Sequence, residues 1–144
     1  MMVDRGIEFV RPSALYPHAP YAYAAAAPPG RLVFTAGACP LGPDGVVVGP
    51  GDLEAQTLLA VANLFETLHA AGAGAGDVLK MTVYVVASSQ DDLVRAWTAV
   101  KAAFEPSDPP STLLGVTTLG YRDQLVEIEA VALAPPPSEP APSP

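Results

Sequence analysis

The chain has 144 residues, 50% of them hydrophobic, which is enough for one domain with a core and excludes a disordered chain. Seven Lys and Arg stand against fifteen Asp and Glu, a net charge of -8 with no basic cluster, so nucleic acid is a poor partner. One cysteine, Cys39, excludes an intrachain disulfide and fits a reducing cytosol; "MMVDRGIEFV" has no signal-peptide layout, and no apolar run could span a bilayer, so a soluble cytoplasmic protein is expected.

Residues 1 to about 30 are rich in Pro, Ala and Tyr, and Pro12, Pro17 and Pro20 forbid a long helix. A short strand is expected near Gly6 to Val10, followed by an ordered loop. "RLVFTAG" (31–37) reads as a strand closed by Gly37. In "PLGPDGVVVG" the Asp44-Gly45 pair signals a hairpin turn, with Val46 to Val48 as the returning strand.

A helix follows, capped by Asp52 and with Glu54 in its first turn. Leu53, Thr57, Ala60, Val61, Leu64 and Leu68 recur at helical spacing, and Gly72 is a stop. "AGAGAG" (71–76) follows a helix rather than opening one, so it reads as a flexible connection and not a phosphate loop. "DVLKMTVYVV" (77–86) is a strand apolar on both faces. A second helix starts at a Ser-Asp cluster, carries Leu93, Trp97, Val100 and Phe104 on one face, and ends at Pro106. "STLLGVTTL" and "QLVEIEAVAL" are strands joined by "GYRD". The domain is expected to occupy residues 1–134, with a proline-rich, flexible tail over 135–144.

The order β-β-α-β-α-β-β fits an α+β two-layer sandwich, with both helices on one face of a single sheet. The other face would be bare, yet its strands are not polar, and only 15% of the chain is charged. Both observations point to an oligomer.

Along 124–133, Val126, Ile128, Ala130 and Ala132 point one way and Leu125, Glu127, Glu129 and Val131 the other. The first set suits the helix layer. Two carboxylates, their β-carbons roughly 7 Å apart, therefore lie on the face without helices. They are either functional or, on the residues alone, more commonly an intersubunit ion pair or acids at a wet rim. His18 and His69 with one thiol are too few for a closed metal site. His69 suits the dipole at the end of the first helix, and His18 a surface loop. Cys39 has no evident base beside it and reads as an inert small residue.

The elements and several short motifs together resemble the RidA/YjgF family, also called endoribonuclease L-PSP. The matching pieces are "APYAYA", "VFTAGACP", "LEAQTLLAVANLFETLHAAG", "DVLKMTVYV", the Pro-Pro turn and "LVEIEAVAL", in order from about residue 18 to 133. The resemblance implies a chorismate-mutase-like fold and a homotrimer whose sheets close into a central barrel, with small-molecule pockets at the subunit interfaces. It also implies hydrolysis of reactive enamines and imines without cofactor or metal.

Carried over residue by residue, the resemblance makes Tyr21 the pocket tyrosine, Gly37 the glycine whose backbone meets the ligand, and Glu127 the acid that handles water. Where the family has an arginine that grips a substrate carboxylate, this chain has Thr112. Trp97 stands at a helix position that often bears a pocket asparagine, and Ala38 where glutamine is common. The substrate-binding set is then Tyr21, Gly37, Ala38, Trp97, Thr112 and Leu114, with Glu127 catalytic. Nothing in the spacing requires Arg95 or Arg122 to replace the arginine. The expected function is a trimeric imine or enamine hydrolase with altered substrate choice; the alternatives are a non-catalytic binding trimer and, more weakly, an endoribonuclease.

Overall fold

The computed structural model describes residues 4–136 and 141–144. Two nine-residue strands, β4 (Val78–Val86) and β6 (Val126–Ala134), form the middle of a four-stranded sheet ordered β3-β6-β4-β5. Its edges are β3 (Arg31–Phe34) and β5 (Ser111–Val116). The β3–β6 and β4–β6 pairs are antiparallel, and β4–β5 is parallel. A parallel pair needs a crossover, here α2 (Gln90–Phe104).

Both helices begin where the sequence offers an acceptor for free N–H groups. Asp52 accepts from Ala55 N at 3.0 Å to start α1 (Leu53–Ala70). Gly72, at φ +83°, takes the left-handed conformation just beyond its end. Ser89 caps α2, and Asp92 reaches back to the N–H and hydroxyl of Ser88 at 3.1 and 3.0 Å. Those bonds hold the Asp92 carboxyl below its ordinary range.

The helices cover one face of the sheet. Leu53, Thr57, Ala60, Val61, Leu64 and Leu68 of α1 are buried, as are Ala96, Val100 and Phe104 of α2, with Leu93 and Trp97 packed partly against them. Phe65 meets Phe104 edge-on at 5.1 Å. From the sheet come Met81, Val83, Val85, Val126, Ile128, Ala130 and Ala132, all buried. The opposite face is open. On it Leu32, Phe34 and Leu114 are 53%, 72% and 44% exposed, an apolar surface beside the carboxylates of Glu127 and Glu129.

Several expectations need correction. The stretch after β1 (Glu8–Val10) is not only loop: Ala24–Ala26 forms β2, which pairs antiparallel with β1 in a separate two-stranded sheet. Alanine is a poor strand former, so pairing with β1 rather than propensity decides that segment. Val46 to Val48 is not a returning strand. It makes one bridge, Leu41 to Val47, around the turn at Asp44-Gly45. The glycine-rich connection is partly ordered as a 3-10 turn, Ala75–Asp77, with Asp77 accepting from Gly74 N at 2.9 Å. The expected flexible tail falls partly on residues outside those described; at its start Pro135 O accepts from Arg31 Nε at 3.4 Å. Among the described residues no helix is long and apolar enough to cross a membrane.

Candidate functional site

Beyond β3 the chain crosses back over β6. Ala38 N donates to Ile128 O at 2.7 Å and Ile128 N to Ala38 O at 3.1 Å. This single bridge sets Gly37 and Cys39 against Glu127, which lies next to Ile128 and points to the open face. The approach is close enough to demand glycine, since a Cβ at Gly37 would lie 2.5 Å from Glu127 Cδ. On the other side, Cys39 Sγ donates to Glu127 Oε1 at 2.9 Å.

Two amides hold this arrangement. Asn63 Nδ2, from α1, donates to Cys39 O and Leu41 O at 2.8 and 3.1 Å. The buried Gln124 donates to Val126 O at 3.0 Å and to Glu127 Oε1 at 3.4 Å, and its Oε1 accepts from Tyr121 N. Among the described residues no donor reaches Glu127 Oε2. Burial, and next the bond to the carboxylate, push the Cys39 thiol up from 9.0 to about 11. It is therefore a protonated donor at neutral pH. The expectation that no base sits beside Cys39 was wrong: a carboxylate 88 positions away in sequence touches it.

A second group gathers at the β5 edge. The Pro-Pro turn fastens the tyrosine loop there, because Asp108 O accepts from Ala22 N at 2.9 Å while its carboxylate meets Arg11 at 3.1 Å and Lys101 at 2.6 Å. Arg11 also donates to Ala19 O at 3.1 Å. Tyr21, Trp97 and Thr112, with Pro20, Ser111 and Leu113, then line a cavity of about 420 Å³. Trp97 thus faces the space beside Thr112 and contributes one aromatic wall, with Tyr21 as the other.

Strand register relates the two groups. Glu127 is opposite Tyr84, which is opposite Leu114; Glu129 is opposite Thr82, which is opposite Thr112. All six lie on the open face. Since β4 separates β6 from β5, Glu127 and Leu114 stand two strand spacings apart, about 10 Å. One chain therefore brings Gly37 and Glu127 together, and separately Tyr21, Trp97 and Thr112, without joining the two sets; Ala38, expected in the pocket, bridges Ile128 and turns its methyl group into the core.

Two further contacts cross this face. Tyr84 OH donates to Glu129 Oε1 at 2.5 Å, and that bond raises the Tyr84 pKa. Lys80 Nζ donates to Thr112 Oγ1 at 2.5 Å. Neither Arg95 nor Arg122 is found at Thr112: Arg95 pairs with Asp92 at 3.4 Å, and Arg122 lies in the exposed turn before β6. Among the described residues no cluster of three or more His, Cys, Asp or Glu could hold a metal.

The chain is similar to known proteins over most of its length. The family model described as Endoribonuclease L-PSP matches residues 12–134. A RutC family protein of Pyrococcus abyssi is 32% identical over 110 residues, 76% of this chain and 84% of that protein. TdcF of Escherichia coli, which bears the provisional name reactive intermediate deaminase, is 31% identical over 107 residues, 72% of this chain and 80% of its own length. Among solved structures, the Rid family protein YyfB of Yersinia pestis superposes with a TM-score of 0.82 at 35% identity, covering 88% of this chain and 98% of that one. E. coli TdcF with bound serine gives 0.64 at 29% identity, with 80% and 88% covered.

Proposed function

The chain belongs to the RidA/YjgF family, and from that premise we propose that it hydrolyses small imines or enamines to a carbonyl product and ammonia. The observation that carries this reading is the setting of Glu127. Its Oε1 is fixed by Cys39 and Gln124, its side chain lies over the Gly37 backbone, and among the described residues Oε2 has no donor. A general base needs that combination of a fixed position and an oxygen with no donor already on it.

In the proposed reaction Glu127 Oε2 takes a proton from water as the water oxygen adds to the imine carbon. The C=N electron pair moves to nitrogen, which receives the proton from Glu127. Collapse of the resulting carbinolamine, its hydroxyl proton passing to the amino nitrogen as the C–N bond breaks, forms C=O and expels ammonia. An enamine first tautomerises to the imine, gaining a proton from water at its β-carbon and returning one to water from its nitrogen. Gly37 N–H, without an acceptor among the described residues, is the donor proposed for a ligand oxygen. Tyr21, Trp97, Thr112 and Leu114 form the substrate-binding side.

Joining the two groups requires another copy of the chain. The exposed Leu32, Phe34 and Leu114 support closure of three sheets on their open faces, with the sites at the clefts between subunits. The deaminase name of TdcF supports the reaction class. Thr112 supports altered substrate choice, since a hydroxyl has no fork of charged donors. The excess of acids over bases, fifteen to seven, disfavours RNA as the substrate.

The test is ammonia release from 2-aminoacrylate and a panel of imines, measured beside an arginine-bearing relative. Turnover of the panel with a depressed rate on 2-aminoacrylate is expected. Comparable rates on 2-aminoacrylate would overturn the altered choice. No turnover of any substrate would overturn the hydrolase and leave a binding protein.

A further inference from the structure

We infer that Lys80, acting with Thr112, is the anion anchor of this pocket, so that the chain binds a substrate carrying one carboxylate through a point charge on β4. The inference rests on the proposed function for the identity of the pocket and deepens it by naming the group that the pocket holds.

Of the strand side chains on the open face, Lys80 is the one cation; the others are apolar or hydroxylic apart from Glu127 and Glu129. Lys80 is the third residue of β4 and is exposed on that face, so its ammonium is within reach of a ligand. The ion pairs among the described residues, Arg5–Asp77, Arg11–Asp108, Arg95–Asp92 and Lys101–Asp108, do not include it. Glu129 is near in register, but its Oε1 accepts from Tyr84. Lys80 instead reaches sideways across the parallel pair to the hydroxyl of Thr112.

That contact suits anion binding. An ammonium has three donors and no acceptor, and one is engaged by Thr112 Oγ1, leaving two. A threonine hydroxyl that accepts from Lys80 keeps its own O–H free to donate. The pair therefore presents several donors and a positive charge around one point. An aliphatic residue at 112 would lack this bond, so threonine is an active part of the site and not only a lost arginine.

The side on which the anion sits follows from charge. Lys80 lines a cavity of about 280 Å³ together with Glu129, whose carboxylate repels an anion. Thr112 lines the 420 Å³ cavity with Tyr21 and Trp97, and no acid lines it. The carboxylate belongs on the Thr112 side, with the ligand body between the two aromatic walls. A point charge grips one carboxylate oxygen where a guanidinium fork would grip two, so orientation depends more on those walls.

The probe is 2-oxobutanoate, with its neutral methyl ester as a control, titrated by NMR against the full chain and its Lys80→Gln, Lys80→Arg and Thr112→Val variants. Lys80→Gln is expected to raise the Kd for 2-oxobutanoate roughly ten- to a hundredfold. The ester should bind the Lys80 variants within about twofold of the parent, and the dispersion of the amide resonances reports that all the variants remain folded. Lys80→Arg, which retains charge, should recover most of the affinity, and Thr112→Val should weaken it less than Lys80→Gln. Equal binding of 2-oxobutanoate by the parent and Lys80→Gln, or no binding by the parent, would overturn the anchor. This readout needs no turnover. If the anchor is confirmed and imines are not hydrolysed, only the hydrolase reading falls; if imines are hydrolysed and Lys80→Gln binds normally, only the anchor falls.

Discussion

Cys39 Sγ lies 2.9 Å from Glu127 Oε1, and the thiol is the donor. Glu127 is the group to which the proposed chemistry is assigned, so this sulfur determines which of its oxygens is free. Cys39→Ser keeps a donor with a shorter reach, and Cys39→Ala removes it. Turnover should fall in the order parent, serine, alanine, with the alanine variant down about tenfold. Steady-state kcat for the three proteins checks the order.

The same thiol has a pH signature. Its pKa is about 11 in the folded chain against an ordinary 9.0. Between those values the folded chain keeps a proton that the unfolded chain has lost. The contribution to stability is therefore complete below about pH 9 and is lost as pH rises through about 11. Urea midpoints at pH 8 and pH 10.5 should drop more for the parent than for Cys39→Ala. Tyr84 titrates with the same sign in both proteins, so the difference between them isolates the sulfur. At pH 8 alkylation of Cys39 by iodoacetamide should be slow, and Glu127→Gln should speed it only in part, because burial is the larger cause of the shift.

Gly37→Ala puts a methyl group 2.5 Å from Glu127 Cδ. Either the carboxylate or the Gly37–Cys39 segment must move. Stability should fall by about 1–3 kcal/mol, measured by urea unfolding, and turnover should fall with it because Glu127 leaves its place.

Gln56 is fully buried and ties three backbone groups together. Its Nε2 donates to Gly49 O and Asp123 O at 3.1 and 2.9 Å, and its Oε1 accepts from Leu125 N at 2.7 Å. Gln56→Ala leaves Asp123 O and Leu125 N without that partner beside the start of β6, while Gly49 O keeps its bond from Asp52 N, and should cost about 2–4 kcal/mol in urea unfolding.

The core was legible in the sequence because period and burial agree. The alternation Val126, Ile128, Ala130, Ala132 and the 3.6-residue recurrence from Leu53 to Leu68 each describe one buried face. Strand β2 was not legible, since three alanines between prolines carry no strand preference and order only by pairing with Phe9 and its neighbours. Glu127 and Thr112 could be singled out from the family resemblance. Cys39 and Lys80 could not be assigned partners, because their contacts span 88 and 32 positions and depend on one isolated bridge and on the parallel β4–β5 register. A signal for Lys80 was present in "DVLKMTVYVV", where a single cation interrupts an apolar strand.

Oligomer formation tests the open face. Phe34 is 72% exposed in one chain. If three sheets close on that face, Phe34→Asp should convert a trimer to monomers in analytical ultracentrifugation and abolish turnover, while far-UV circular dichroism of the monomer stays the same.

The central claim is that Glu127 is the base of a hydrolytic reaction. The direct measurement is ammonia release from the imine panel by the parent and by Glu127→Gln at matched concentration and oligomeric state. The claim predicts turnover by the parent and a loss of roughly 10²- to 10⁴-fold in the glutamine variant. Parent-like turnover by Glu127→Gln would contradict it.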